Sequence, residues 1–162
     1  MLKRDLSAKD RAPECNDLYA DGGKYVTECN DNRCRKSSRA RIQYGVPMSF
    51  ALSDNVIYFH CSAAGGKRIS GIRHDPNACF TVIGDTKLLP PKFATLYMSG
   101  IAYGKIEIIS DDTEKQKGIE AILQKYSPDH IENGMKYIAS ALDKIYVLKL
   151  EIEKITGKGR KA

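Results

Sequence analysis

From Tyr44 onward the chain alternates apolar and polar positions in short runs, separated by residues that favour turns. "YGVPMSFAL" and "NVIYFHC" are rich in β-branched and aromatic residues, and the "SDN" between them is a typical hairpin connection. "ACFTVIG" predicts a third strand. "ATLYMSGIAYGKIEII" predicts one long strand, or two joined at Gly100 or Gly104, since a glycine inside a strand often marks a bulge or bend. At the C-terminus "DKIYVLKLEIEKITGK" repeats its apolar positions at period two and predicts a closing strand. That period runs from Ile145 and Val147 through Leu148, Leu150, Ile152 and Ile155, with one slip.

Between these strands the period changes. In "DDTEKQKGIEAILQKYSP", Ile119, Ile122, Leu123 and Tyr126 share one helical face. Asp111 or Asp112 can cap this helix, Glu114 adds negative charge to its first turn, and Pro128 closes it. "IENGMKYIASAL" predicts a second helix. Strands that follow one another through short turns imply an antiparallel sheet. The expected fold is therefore mainly β with α, a small antiparallel barrel with helices at its edge, in a single domain over residues 1–162.

Residues 1–43 do not share this patterning. "PECNDLYADGGKYVTECNDNRCRKSSRARIQ" is rich in Asn, Asp, Arg and Cys, and reads as a long polar loop. Its segment Arg33 to Arg41 places five cations in nine residues, which suits either a solvated loop or a nucleic-acid patch. The chain as a whole carries a net charge of +6, with a pI near 9.0. Such a balance favours anionic partners without choosing among them.

Other classes are narrowed by composition. No apolar run approaches the ~20 residues that span a bilayer. The opening "MLKRDLSAKDR" is charged and has no apolar region behind it, which points to the cytoplasm. Cys15, Cys29, Cys34, Cys61 and Cys79 are odd in number and irregular in spacing, as free thiols in a reducing compartment would be. His60, Cys61, His74 and Cys79 form no close CxxC or HxxxH pair, so no metal site is expected.

The densest chemistry lies in "IYFHCSAAGGKRISGIRHDPNACF", Ile57 to Phe80. An apolar strand runs into His60, Ser62, small residues, Gly65, Gly66 and Lys67. The Ser62 hydroxyl, the amides of Ala63 to Gly66 and the Lys67 ammonium are what a phosphate needs. The stretch matches neither GxxxxGK[ST] nor GxGxxG. On residue types alone it is equally a flexible hairpin tip with an exposed lysine.

The arrangement resembles the flavin-binding segment of the pyridoxamine 5′-phosphate oxidase-like split β-barrel family, closest to the branch containing nitroimidazole resistance proteins. The resemblance extends to "YGVPMSFALSDNVIYFH", "YMSGIAYGKIEII", "KGIEAILQKYSP" and "DKIYVLKLEIEKITGKGRK", in the family's order, and so covers residues 44–161. It implies an FMN-binding split barrel that forms a homodimer, with FMN in the cleft between subunits. By position it assigns Ser62, Cys61, Gly66 and Lys67 to the phosphate loop. Pro47, Met48 and Ser49 fall on the strand along the isoalloxazine ring. His60 falls where that branch places a histidine near flavin and substrate, and is the candidate catalytic residue; a strand-end histidine bonded to a carbonyl is the alternative. Arg73 is read either as a partner of a nearby carboxylate or as reaching the ribityl-phosphate. His74 and His130 are expected in solvent, and Asn77 in a turn.

One departure from the family lies upstream. "KYVTECNDNRCRKSSRARIQYGVP" stands where relatives carry an apolar first strand and a glycine turn. Back-translated with permissible codons and read in a shifted frame, it spells Gly-Val-Leu-Ser-Ala-Thr and then a turn ending Gly-Lys-Ala. This raises a local frameshift as an expectation; read as printed, the barrel lacks its usual first strand.

Three functions follow. The first is an FMN-dependent oxidoreductase passing electrons from a reduced nicotinamide to a small acceptor such as a nitro-aromatic. The second is a flavin-binding or stress-associated protein without turnover. The third, a nucleic-acid binder using Arg33 to Arg41, ranks below both. A deazaflavin in place of FMN is compatible with the same residues.

Overall fold

The computed structural model describes residues 25–28, 45–84 and 86–161. Seven strands lie in one antiparallel system: β1 (Tyr25–Glu28), β2 (Phe50–Ser53), β3 (Val56–Ser62), β4 (Asn77–Ile83), β5 (Lys87–Leu89), β6 (Ala94–Ile108) and β7 (Ile145–Arg160). Among the described residues three α-helices accompany them: α1 (Lys67–His74), α2 (Asp112–Tyr126) and α3 (Ile131–Ala141). The strand order is β1-β4-β6-β7-β3-β2, with β5 pairing β6 beside it.

This sheet is rolled. β2 and β4 are separated in the order by three strands, about 19 Å in a flat sheet. Yet the rings of Phe50 on β2 and Phe80 on β4 meet at 4.7 Å between centroids, and Phe59 on β3 comes within 5.5 Å of Phe80. The enclosed core holds these three with Ile57, Leu148 and Leu150, all nearly or fully buried. A second core lies on the outside of the rolled sheet, where Ala51, Tyr58 and Val147 pack under Ile119 and Ile122 of α2 and Ile138 of α3. The expected split barrel with flanking helices is thus the observed architecture.

Local chemistry explains each element. Asp54, with φ of 55°, and Asn55 turn the β2–β3 hairpin, and Asn55 ties its tip to β7 through Nδ2–H to the Ile152 carbonyl at 2.7 Å. Asp111 caps α2, its Oδ1 accepting the Glu114 N–H at 2.7 Å, and the helix ends one residue before Ser127 and Pro128. β6 is one strand, and its register against β7 shifts between Tyr103 and Gly104. Tyr103 pairs with Lys154 and Gly104 with Ile152, so Glu153 is the extra residue of a bulge. The step from Ile152 to Ile155 in the apolar period of the last strand is this bulge, whereas Val147 and Leu148 are neighbours buried on opposite faces. Gly104 is required opposite it, because a Cβ there would run into the Glu151 carbonyl oxygen. Lys149, with a side chain only 14% exposed, joins the carboxylates of Glu107 and Glu114 at 3.0 Å and Glu151 at 3.4 Å. Hydrogen bonds to Glu107 and Glu114 raise its pKa against the opposing effect of burial.

Two expectations are corrected. Tyr25–Glu28, read within a polar loop, forms β1 and pairs with β4 from Tyr25↔Val82 to Glu28↔Cys79. Four residues with Tyr, Val and Thr are good strand formers, but too few to show a period. The remainder of the frameshift question, residues 29–43, and the cations Arg33 to Arg41 lie outside the described residues. The second correction is α1. In place of a flexible hairpin tip with an exposed lysine, the chain from Lys67 forms an eight-residue helix whose Ile69 and Ile72 enter the inner core. Among the described residues no helix is long and apolar enough to cross a membrane.

Candidate functional site

The period of two sorts the candidate residues onto two faces. In β3, Ile57 and Phe59 point into the barrel core, and Cys61 packs against the same core. His60 and Ser62 alternate with them and are exposed on the outer face, the face of Tyr58. β2 runs antiparallel alongside, with Phe50 opposite Phe59 and Ala51 opposite Tyr58. The ladder ends at Phe50, so Pro47, Met48 and Ser49, expected on the strand, precede it instead. Met48 packs in the inner core, while Pro47 and Ser49, like His60 and Ser62, are exposed.

His60 pairs across to Val147 of β7. Although its side chain reaches solvent, the strands around it desolvate the ring and lower its pKa from the usual histidine value. This favours the neutral imidazole, in which one nitrogen is a donor and the other an acceptor.

Past Ser62 the chain leaves the sheet in a tight path. The Ala63 N–H donates to the Lys144 carbonyl at 2.9 Å, and the Ala64 N–H donates to Ser62 Oγ at 3.2 Å. Gly65 and Gly66 follow with φ of 84° and 112°, a region that other residues seldom enter. A Cβ at either would meet nothing within 4 Å, so backbone conformation and open space, rather than crowding, select glycine here.

Gly66 is the N-cap of α1. No side chain caps this end and its first turn holds no acid, while Arg73 and His74 occupy the last turn. The positive end of the helix dipole is thus left without a negative partner from its own turn. It carries Lys67, which is exposed, and Arg68, which is half-buried. The Arg68 Nε is buried and has no hydrogen-bond partner among the described residues. A buried guanidinium N–H without an acceptor is costly, and native structures seldom leave one so.

Arg68 was not singled out from the sequence. The adjacent "KR" was the available signal, but only the helix shows that Lys67 turns outward while Arg68 turns in. Ser62, Gly66, Lys67 and Arg68 lie in the segment that joins β3 to α1, with His60 near the end of β3 and Ser49 just before β2. Arg73 lies six residues further along α1, about 9 Å away along its axis, and is exposed. His74 and His130 are exposed. Asn77 opens β4, its N–H and Nδ2 both donating to Asp75 Oδ1 across Pro76. No group of three or more His, Cys, Asp or Glu side chains converges as metal ligands would among the described residues.

Comparison with known proteins agrees with this geometry. The family model described as pyridoxamine 5′-phosphate oxidase matches residues 38–159. Among solved structures, one assigned to 5-nitroimidazole antibiotic resistance in Bacteroides thetaiotaomicron is 22% identical, with a TM-score of 0.69 over 94% of this chain and 84% of that one. The flavocytochrome Anf3 of Azotobacter vinelandii is 21% identical, with a TM-score of 0.74 over 94% of this chain and 68% of its own. An FAD-binding protein of Mesorhizobium loti is 20% identical, with a TM-score of 0.59 over 99% of this chain and 100% of its own. At these identities the likeness is one of fold. No curated protein matches the sequence. The family match spans the strand that carries His60, the segment before β2 that carries Ser49 and the start of α1 that carries Lys67 and Arg68, and the chain belongs to the pyridoxamine 5′-phosphate oxidase family.

Proposed function

We propose that the protein binds FMN and works as an oxidoreductase, passing electrons from a reduced nicotinamide to a small acceptor such as a nitro-aromatic. The observation that carries this reading is Arg68. Its buried Nε lacks an acceptor among the described residues and sits beside a helix N-terminus with no side-chain cap, and a phosphate dianion would supply what both are missing. The named neighbours include a flavocytochrome and an FAD-binding protein, which supports a flavin as the ligand.

In this reading Arg68 and Lys67 hold the phosphate, with the Ser62 hydroxyl and the backbone from Ala63 to Gly66 around it. A flavin carrying only one phosphate fits a single turn of this kind, which favours FMN. A flavin held there would supply two-electron redox chemistry between the nicotinamide and the acceptor. Pro47 and Ser49 on the exposed face border the ring, and Met48 anchors that segment in the core beneath. His60, whose desolvation favours the neutral ring, offers a ring N–H to an acceptor that gains negative charge as it is reduced. The reading includes a homodimer with the cofactor in a cleft between two copies.

The test is the visible spectrum of the purified protein, with identification of the cofactor released by heat. FMN bands and NADH oxidation that depends on an added nitro-aromatic are expected. Flavin bands without turnover would make it a flavin-binding protein only; a Soret band or no chromophore after FMN addition would contradict the proposal.

A further inference from the structure

The hairpin that joins β5 to β6 presents apolar residues to water. Leu88 is 73% exposed and Phe93 is 99% exposed. Pro90 and Pro91, between them, are exposed as well. A single exposed apolar residue is ordinary on a protein surface, but a cluster of them at one hairpin tip is a patch. The tip is held in shape. Phe93 has φ of 47°, a strained conformation for a bulky residue, and its N–H donates to the Pro90 carbonyl at 3.0 Å.

Cations gather at the same end of the barrel. From Thr86 to Ile106 the sequence holds Lys87, Lys92 and Lys105 and no acid. From Lys154 to Ala162 it holds Lys154, Lys158, Arg160 and Lys161 and again no acid. The two stretches meet, because Arg160 of β7 pairs with Tyr97, the neighbour of the Leu96 that pairs with Lys87. Lys87, Lys92, Lys158, Arg160 and Lys161 are all exposed. Among the described residues none of these five forms a salt bridge; the pairs that do form lie elsewhere, on Lys117, Lys136 and Lys149.

We infer that this hairpin docks the protein on the surface of a bilayer that contains anionic lipid. An apolar tip and a cationic surround are the two signals that peripheral attachment combines: the side chains enter the headgroup–acyl boundary and the cations meet the headgroups. The backbone of the tip suits that medium. Pro90 and Pro91 have no N–H, and the Phe93 N–H is already bonded, so none of these three adds an unpaired donor on leaving water. The same shortage of donors disfavours a peptide strand as partner. The tip offers one ring, not the series of rings on which successive bases of a nucleic-acid strand stack. This is attachment at a surface, not a span, and it does not depend on the flavin reading.

The chain has no tryptophan, so Phe93→Trp makes the tip its own reporter. With vesicles of phosphatidylcholine and phosphatidylglycerol in equal parts, its emission should move to shorter wavelength as the indole leaves water. The emission of Tyr137→Trp, a control at a 73% exposed ring on α3, should not. Co-sedimentation of the full chain with the same vesicles gives affinities, and far-UV circular dichroism checks that each variant is folded. The wild type should bind them at least about tenfold more tightly than vesicles of phosphatidylcholine alone. Leu88→Ser/Phe93→Ser should lose at least about tenfold, and Lys87→Gln/Lys92→Gln about ten- to thirtyfold. Equal binding to both kinds of vesicle, an unshifted Phe93→Trp spectrum, or a hairpin variant that binds as the wild type does overturns the inference. So does retention of single-stranded DNA in preference to vesicles, which would make the basic end a nucleic-acid surface.

Discussion

The Lys125 ammonium stands 3.3 Å from the centroid of the Phe50 ring, with the Tyr126 ring at 5.1 Å. Two effects compete at this amine. The aromatic faces favour the charged form, while burial disfavours it, and burial dominates, bringing the pKa down to about 8. Unfolded, the same lysine titrates near ~10.4. Between these values the unfolded chain binds more protons than the folded one, so stability rises with pH from about 8 to about 10.4. The full shift corresponds to roughly 3 kcal/mol, and partial solvent access reduces this to on the order of 1–2 kcal/mol. Urea denaturation at pH 7.5 and 9.5 should show this gain in the wild type and its loss in Lys125→Met. An equal pH dependence in both would contradict it.

The bulge offers a paired test of backbone geometry. Gly104→Ala forces a methyl group into the Glu151 carbonyl oxygen and should cost about 2–4 kcal/mol. Gly71→Ala, in an exposed position of α1 with nothing within 4 Å of the new carbon, should stabilise by about 0.5–1 kcal/mol. Denaturation midpoints measure both, and a Gly104→Ala variant as stable as the wild type would remove the bulge from the account.

For His60 the expected outcome is a titration midpoint below ~6.5, followed by NMR of its ring protons. Its pKa is lowered on folding, so its contribution to stability is present above the unfolded value and is lost as pH falls. The stability of the wild type relative to His60→Gln should therefore decline from pH 7.5 to pH 5. A midpoint at or above the ordinary value would mean that the ring is not desolvated.

These tests fall on parts of the chain that the sequence exposes to different degrees. β3, β4, β6 and β7 were legible because their apolar alternation extends over seven or more residues. Even the bulge at Glu153 left a trace, as a slip between Ile152 and Ile155. α1 left almost none. It has two core residues, Ile69 and Ile72, a central glycine and no capping side chain, so tertiary contact with the barrel, rather than propensity, holds it helical. Because α1 was not legible, neither was the inward turn of Arg68. β5 is too short, at three residues before two prolines, to carry a period. Ser62, Gly66, Lys67 and His60 were legible from residue chemistry and order, whereas their division between outer face and core required the register of β2 on β3.

The central claim is that Lys67 and Arg68 anchor the phosphate of a flavin, and a comparison of FMN with riboflavin tests it most directly. Riboflavin keeps the ring and lacks the phosphate. Fluorescence titration of both ligands against the wild type, Lys67→Ala and Arg68→Met separates anchoring from fold. Charge-assisted hydrogen bonds of roughly 1.5–3 kcal/mol each correspond to about ten- to a hundredfold in affinity. The wild type should bind FMN more tightly than riboflavin by at least that factor. Each variant should lose about ten- to a hundredfold for FMN while its riboflavin affinity stays within about twofold. Equal wild-type affinities for the two ligands, or equal losses for both in the variants, would contradict the phosphate assignment.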